Sequence, residues 1–151
     1  GSTMIQEQTL ALFKPDTIER NLVGTFIDII LKNKFRIVAM KMLKPTKTVI
    51  RQHYIDLSDR PFFPAIRAYM SNQTTIALIL EKENAIQDWR QLIGATHPKN
   101  ADKSTIRGKY GDKNQNGNAL KNLVHGSDSP ENARREIKLW FPELTIASNA
   151  K

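Results

Sequence analysis

The apolar positions of the chain change period several times, and each change marks an element. Thr9-Leu10-Ala11-Leu12-Phe13 is a short unbroken apolar run, predicted to be a central strand, and Lys14-Pro15-Asp16 ends it because proline cannot pair onward. From Leu22 to Lys34 the apolar residues fall at 22, 23, 26, 27, 30 and 31, the stripe of an amphipathic helix. Phe35 to Leu43 then takes period two, a strand with Phe35, Ile37, Ala39 and Leu43 on one face. Thr46 to Tyr54 reads as a helix capped by Thr46 or Thr48, Leu57 to Pro64 as a turn region, and Pro64 to Met70 as a second short helix. Thr74 to Leu80 is rich in β-branched residues and is predicted to be a strand. Ala85 to Ile93 is predicted helical, with Asn84 available to cap its start and Gly94 to stop it.

The pattern is then lost. Ala95 to Lys121 is dominated by Lys, Asn, Gly and Asp, and a loop of that length in a compact domain is usually functional or mobile. Leu123-Val124 resumes a short strand, Gly126 admits a backbone angle that other residues resist, and Ser129, Pro130 and Glu131 read as N-cap, N1 and N2 of a last helix. Ala133, Ile137, Trp140 and Phe141 line one side of that helix, and Pro142 ends it. This order suits an α+β fold, a ferredoxin-like (split βαβ) four-stranded antiparallel sheet covered by helices on one face.

At 151 residues the chain is expected to form one domain, 1–151, with Gly1-Ser2-Thr3 an expression scar. It has no cysteine, which excludes disulfides and thiolate metal sites. No apolar run reaches membrane-spanning length and no signal-peptide pattern opens the chain, so a cytoplasmic protein with no membrane partner is expected. The net charge of +8 asks for partners that are anionic or tolerate a basic surface, and nucleotides, RNA and acidic lipids all qualify. Its 23 Lys and Arg are spread along the chain without a long basic run, which argues against a dedicated nucleic-acid binder.

The candidate chemistry sits where the last short strand meets the last helix. His125 lies beside a helix N-terminus, where free N–H groups and the helix dipole favour a phosphate. Glu136 edges the buried stripe of that helix, and positions 132, 133, 139 and 140 offer it no cation, whereas Glu131 has Arg134 and Arg135 at ion-pair spacing. An acid near the core without a local partner needs one from elsewhere, and His125 is the candidate. A carboxylate on one ring nitrogen would fix the tautomer and leave the other free to attack; the plain alternative is a glutamate bonded to water.

Thr9 to Phe13 with Lys14-Pro15-Asp16, Arg60-Pro61-Phe62-Phe63, Gly94-Ala95-Thr96-His97-Pro98, Thr105-Ile106-Arg107-Gly108 and Asn122-Leu123-Val124-His125-Gly126-Ser127-Asp128-Ser129 together resemble nucleoside diphosphate kinase, in that family's order. The resemblance runs from Glu7 to Phe141. It implies ping-pong transfer of a γ-phosphoryl group from a nucleoside triphosphate to a nucleoside diphosphate through His125, with Glu136 orienting the ring and Ser127 supporting both. It further implies that Lys14, Tyr54 and Asn122 approach the sugar hydroxyls or the transferring phosphate, that Arg90, Thr96 and Arg107 bind the phosphates, and that Phe62 stacks on the base. Stacking with few edge contacts predicts broad base specificity. Magnesium would arrive bridging the phosphates, and the protein would be a homo-oligomer built from dimers, a tetramer or hexamer. Three departures are visible: Lys103-Ser104 stands where the family has Pro-Gly, Lys109 stands where an acid is usual after Arg-Gly, and about five extra residues lie between Arg107 and Asn122, where insertions are cheap. A nucleotide- or nucleic-acid-binding module on the same scaffold is the alternative, and the presence of both His125 and Glu136 favours the enzyme.

Overall fold

A computed structural model describes residues 6–117 and 119–144. Strand β1 (Glu7–Phe13) leads through a short helix α1 (Pro15–Glu19) into α2 (Val23–Lys32) and strand β2 (Arg36–Leu43). Helix α3 (Lys47–His53), a 3-10 turn at Ile55–Leu57 and helix α4 (Phe63–Met70) precede β3 (Thr75–Lys82). After α5 (Ala85–Ile93) come a 3-10 turn at Pro98–Asn100, helix α6 (Ile106–Tyr110), strand β4 (Val124–Gly126) and α7 (Pro130–Trp140). The four strands form one antiparallel sheet in the order β2-β3-β1-β4, the ferredoxin-like arrangement expected. The expected scar at 1–3 lies outside the described residues.

Helices cover both faces of the sheet, not one. Ala11, Phe13, Ile76 and Leu78 pack under Phe26 and Ile30 of α2 and Trp89 and Ile93 of α5. Leu10, Leu12, Ala77 and Ile79 pack under Ile50 of α3, Met70 of α4 and Trp140 of α7. Burial on both sides is the physical reason that β1 and β3 read as continuous apolar runs rather than alternating ones.

The edge strand β2 departs from its expected alternation. Ile37 pairs with Leu80 and Ala39 with Ile79, so Val38 is an extra residue opposite no partner, a β-bulge. Because strand side chains alternate, one inserted residue exchanges the faces. Phe35 and Ile37 therefore join the α2/α5 layer, whereas Ala39 and Leu43 join the α3/α7 layer. Beyond the bulge Met40 and Met42 stay 51% and 63% exposed.

The expected 95–121 loop contains a helix. Thr105 caps α6 by accepting from the Gly108 N–H, and the helix is too short to carry a periodic signal. The cap of α5 also differs from expectation. Asn84 adopts φ 57 and makes no side-chain cap bond, while the Glu7 carboxylate accepts from the Ile86 N–H at 2.9 Å across the sheet. An acid at a helix N-terminus satisfies an orphan donor and the dipole together. Glu7→Ala is therefore expected to lower unfolding stability by about 1 kcal/mol, whereas Asn84→Gly, which suits the positive φ, changes it little. Denaturant midpoints of the two variants against the parent protein check this pair.

Candidate active site

Strand β4 is short, and its placement decides the site. Leu12 of β1 lies opposite His125, and side chains of directly paired residues share a face. His125 therefore projects into the α3/α7 layer, toward Glu136 on α7. The segment before it is held in an unusual shape. Leu123 has φ 73, and the Val124 N–H donates to the Asn122 carbonyl at 2.8 Å, a γ-turn of the rare positive-φ kind. Such a conformation persists only where the surroundings fix it. Here the Leu123 carbonyl accepts from the Lys14 N–H at 2.8 Å and from the Thr17 hydroxyl at 2.6 Å, and the Leu123 N–H donates to Asp16 Oδ2 at 3.0 Å. The positive φ expected at Gly126 thus falls at Leu123. Gly126 is required for space, because a Cβ there would meet Trp89 Cδ1 at 2.6 Å.

Glu136 is 5% exposed and its Oε1 accepts two bonds, from His125 Nε2 at 2.8 Å and from the Ser127 hydroxyl at 2.7 Å. A carboxylate only accepts, so Nε2 carries the proton and Nδ1 keeps its lone pair. Ser127, fully buried, also accepts from the Leu10 N–H at 3.2 Å, which ties the acid to β1. Glu136 does have a cation nearby, since Arg135 Nη2 lies 3.7 Å from its Oε2. Arg135 does not pair with Glu131 as spacing suggested; it donates to the Gln52 and His53 carbonyls at the end of α3. Carbonyls at a helix C-terminus lack intrahelical donors, and a guanidinium satisfies them with favourable charge.

These groups open on a cavity of about 770 Å³ lined by Lys14, Tyr54, Phe62, Arg90, Thr96, Arg107, Asn122, His125 and Glu136 among others, with Ser127 behind the acid. Every residue singled out in the sequence therefore converges on one place. Lys14 Nζ donates to Asn122 Oδ1 at 2.8 Å and to the Leu120 carbonyl at 2.7 Å, and Asn122 Nδ2 donates to the Thr96 carbonyl at 3.1 Å. Burial pushes the Lys14 ammonium down to about 8, with Asp16 opposing the shift and Arg107 adding to it. Arg107 is 8% exposed and its three nitrogens donate to the carbonyls of Asn122, Gly94 and Val124. Burial lowers it to about 10. Arg107 thus buttresses the strained turn and still has N–H groups to spare, since a guanidinium carries five. Tyr54 is held up at about 12, by burial first and then by Glu136.

Several participants stand at positions that the sequence pattern does not mark. Asp16 pins the turn and accepts from Tyr69 at 2.9 Å, Trp89 Nε1 donates to the His125 carbonyl at 3.0 Å, and His53 is buried beside His125. Asp16 follows Lys14-Pro15 directly, so its motif was in view; Trp89 and His53 lie in ordinary helical patterns that give no such signal.

A sequence profile of the family described as nucleoside diphosphate kinase matches residues 7–146. The chain belongs to the nucleoside diphosphate kinase family. It is 45% identical over 140 residues to nucleoside diphosphate kinase of Geobacter sp. (strain M21), covering 93% of this chain and 98% of that one. The apo crystal structure of nucleoside diphosphate kinase from Encephalitozoon cuniculi is similar, with TM-score 0.82 and 37% identity over 89% of this chain and 88% of that one. So is the nucleoside-diphosphate kinase of Borrelia burgdorferi described as a transition-state mimic with bound vanadate and ADP, with TM-score 0.84 and 30% identity over 92% and 89% of the two chains. As a family member the chain is a kinase that uses nucleotides. Among the described residues no helix is long and apolar enough to cross a membrane.

The buried histidine makes a pH prediction. His53 lies well below its ordinary 6.5, chiefly through burial and then through the neighbouring His125, Arg135 and Lys14. Below pH 6.5 the unfolded ring binds a proton that the folded ring refuses. Stability therefore falls as pH drops through that range, by about 1.4 kcal/mol per pH unit at most, and levels off below the folded value. Denaturation midpoints followed from pH 7 to 5 are expected to show this slope, and His53→Phe to lose one proton's worth of it.

Proposed function

We propose that this kinase works by ping-pong transfer through a phosphohistidine on Nδ1 of His125. The observation that carries the reading is the Nε2–Glu136 bond, which keeps a lone pair on Nδ1 at the edge of a cation-lined cavity. In the first half-reaction the Nδ1 lone pair forms a bond to the γ-phosphorus of a nucleoside triphosphate. The bond from that phosphorus to the bridging oxygen breaks, and its electrons leave on the nucleoside diphosphate. Glu136 stabilises the positive charge that the ring gains, and Ser127 holds the acid in place. In the second half-reaction the terminal oxygen of another nucleoside diphosphate bonds to the same phosphorus as the Nδ1–phosphorus bond breaks, and the electrons of that bond return to Nδ1 as its lone pair.

The remaining roles follow from chemistry at the cavity wall. Lys14, Arg90 and Arg107 supply cations for the phosphoryl oxygens, and catalysis of this transfer is mostly positioning and charge stabilisation. Thr96, Tyr54 and Asn122 line the same cavity, which supports a role for Thr96 at the phosphates and for Lys14, Tyr54 and Asn122 at a sugar hydroxyl or the transferring phosphate. Phe62, half-buried at the start of α4, offers a face for the base and few groups to read its edge, which supports broad specificity. Magnesium bound to the nucleotide phosphates would neutralise part of their charge. The oxygen donors on this wall fit that arrangement. Asp56 and Asp128 face the cavity, while Glu136 is committed to His125. The vanadate and ADP bound by the Borrelia burgdorferi relative suit the same reading. The chain would act in the cytoplasm as a single domain of residues 1–151.

A homo-oligomer built from dimers, as a tetramer or hexamer, belongs to the same proposal. The bulged edge strand β2 leaves Val38, Met40 and Met42 exposed, and α2 beside it exposes Leu31, an apolar face of the kind that marks an interface. Light scattering is expected to give an even multiple of the 17.2 kDa chain, and the double change Met40→Glu, Met42→Glu to lower it; a monomeric parent protein would remove this part.

The central test uses ATP labelled at the γ-phosphate with magnesium. The wild type is expected to take up acid-labile, alkali-stable label that passes on to any added nucleoside diphosphate, and His125→Ala to take up none. Glu136→Gln is expected to slow labelling by about tenfold to a thousandfold, with nucleotide binding little changed. Nucleotide or RNA binding by a wild type that never labels would favour the binding-module alternative.

A further inference from the structure

His53 ends α3, is 4% exposed and lines the same cavity. Its Nδ1 accepts from the Trp140 indole N–H at 2.9 Å. An indole nitrogen only donates, so His53 Nδ1 must be unprotonated and the proton of the neutral ring sits on Nε2. That Nε2 is buried and has no hydrogen-bond partner among the described residues. Orphaned buried donors are rare, and each one calls for an explanation.

Three readings compete for it. His53, His125 and Glu136 offer ligand atoms within 4.8 Å of one another, the spacing of a metal-binding group. The tautomer opposes that reading. To ligate a cation Nε2 would have to give up its proton, and Nδ1, already facing an indole N–H, could not take it. A donor for the phosphoryl oxygens is the second reading, but a nitrogen with almost no accessible surface is out of reach of an incoming group. The third is contact with His125 itself. The two rings lie 4.3 Å apart, centroid to centroid, at an interplanar angle of 72°. Their near-perpendicular packing is the favoured arrangement of aromatic pairs.

We propose that His53 is a positioning residue for phosphoryl transfer, a neutral ring locked by Trp140 that forms the wall against which the His125 imidazole is held. This rests on the phosphohistidine reading above. The bond to Glu136 fixes one atom of His125 but leaves the ring free to swing about the line of that bond. A second, planar contact removes that freedom and fixes the direction in which Nδ1 points. His53 is itself fixed from three sides. Trp140 holds Nδ1, Tyr54 packs at 4.6 Å and 85° on another edge, and Arg135 grips the His53 carbonyl at 3.4 Å. Neutrality matters as much as shape, since a charged ring here would repel the imidazolium character that His125 gains on attack. The groups around His53 are Glu136 on one side and the cations Arg135 and Lys14 and the His125 ring on the other. Burial first, and then these last three neighbours, keep its proton affinity low.

The test separates a wall from a merely structural residue. Single-turnover labelling with γ-labelled ATP and magnesium, and equilibrium binding of ADP, are measured on His53→Ala and His53→Phe. Removal of the wall in His53→Ala is expected to slow labelling of His125 by about tenfold to a hundredfold, with ADP affinity changed less than about twofold. His53→Phe keeps a flat, neutral face and is expected to recover most of the rate, although it strands the indole donor. An unchanged rate in His53→Ala, equal slowing in both variants, or loss of rate and affinity in parallel overturns the proposal. If neither variant folds, nitrogen-15 NMR of the wild type near pH 7 decides. A neutral His53 protonated on Nε2 supports the proposal, and a cation or an Nδ1–H tautomer overturns it. Label on the wild type that is absent from His125→Ala leaves the parent reading standing whatever His53 does, so the two failures are distinguishable.

Discussion

Leu123 is held at a positive φ by bonds from a distant part of the chain, and the site is built outward from that constraint. A non-glycine residue in this region carries strain on the order of 1–3 kcal/mol. The turn that ends β1 supplies what holds it, through the Lys14 amide, the Asp16 carboxylate and the Thr17 hydroxyl. From the other side Arg107 grips the Asn122 and Val124 carbonyls on either side of the same residue. A sharp bend is thereby placed between Asn122, which faces Lys14, and His125, which faces Glu136. An ordinary extended backbone would carry the two side chains along with the pleat, on a strand too short to present both.

Charge follows the same economy of placement. Lys14 and Arg107 are buried cations whose proton affinities are lowered mainly by burial. Backbone and amide oxygens partner them, which offsets part of the cost of burial without cancelling their charge. The cavity therefore keeps unneutralised positive charge in a low-dielectric wall, where it acts strongly on an anion. Glu136 is the exception, and its two donors on one oxygen direct it at the nucleophile rather than at the cations. Asp16 is also spoken for, by the Leu123 N–H and Tyr69.

The two helical layers divide the work. The layer of α2 and α5 meets the back of β4, where Trp89 fills the space that Gly126 leaves and bonds the His125 carbonyl. The layer of α3 and α7 holds His125 against Glu136, because the pairing of Leu12 with His125 turns the ring to that side. The bulge at Val38 redistributes β2 between the layers and leaves methionines on the open edge. One inserted residue in an edge strand thus shapes both the core and the exposed face.

Periodicity in the sequence was enough for the strands, for the longer helices and for the antiparallel sheet, since burial on one stripe or on two faces is a local property of residue order. The resemblance to nucleoside diphosphate kinase named the residues that line the cavity, while spacing along the chain brought out His125 and Glu136. Tertiary contact alone decided the rest. The cap of α5 comes from Glu7 rather than its neighbour Asn84, the cation beside Glu136 is the adjacent Arg135 turned toward α3, and the strained residue is Leu123 rather than Gly126. His53 gives no signal in its own helix and gains its place from Trp140 and His125, which lie far along the chain. Local order fixes what a residue can do, but its partner depends on which distant surface packs against it, and pattern along the chain carries no record of that.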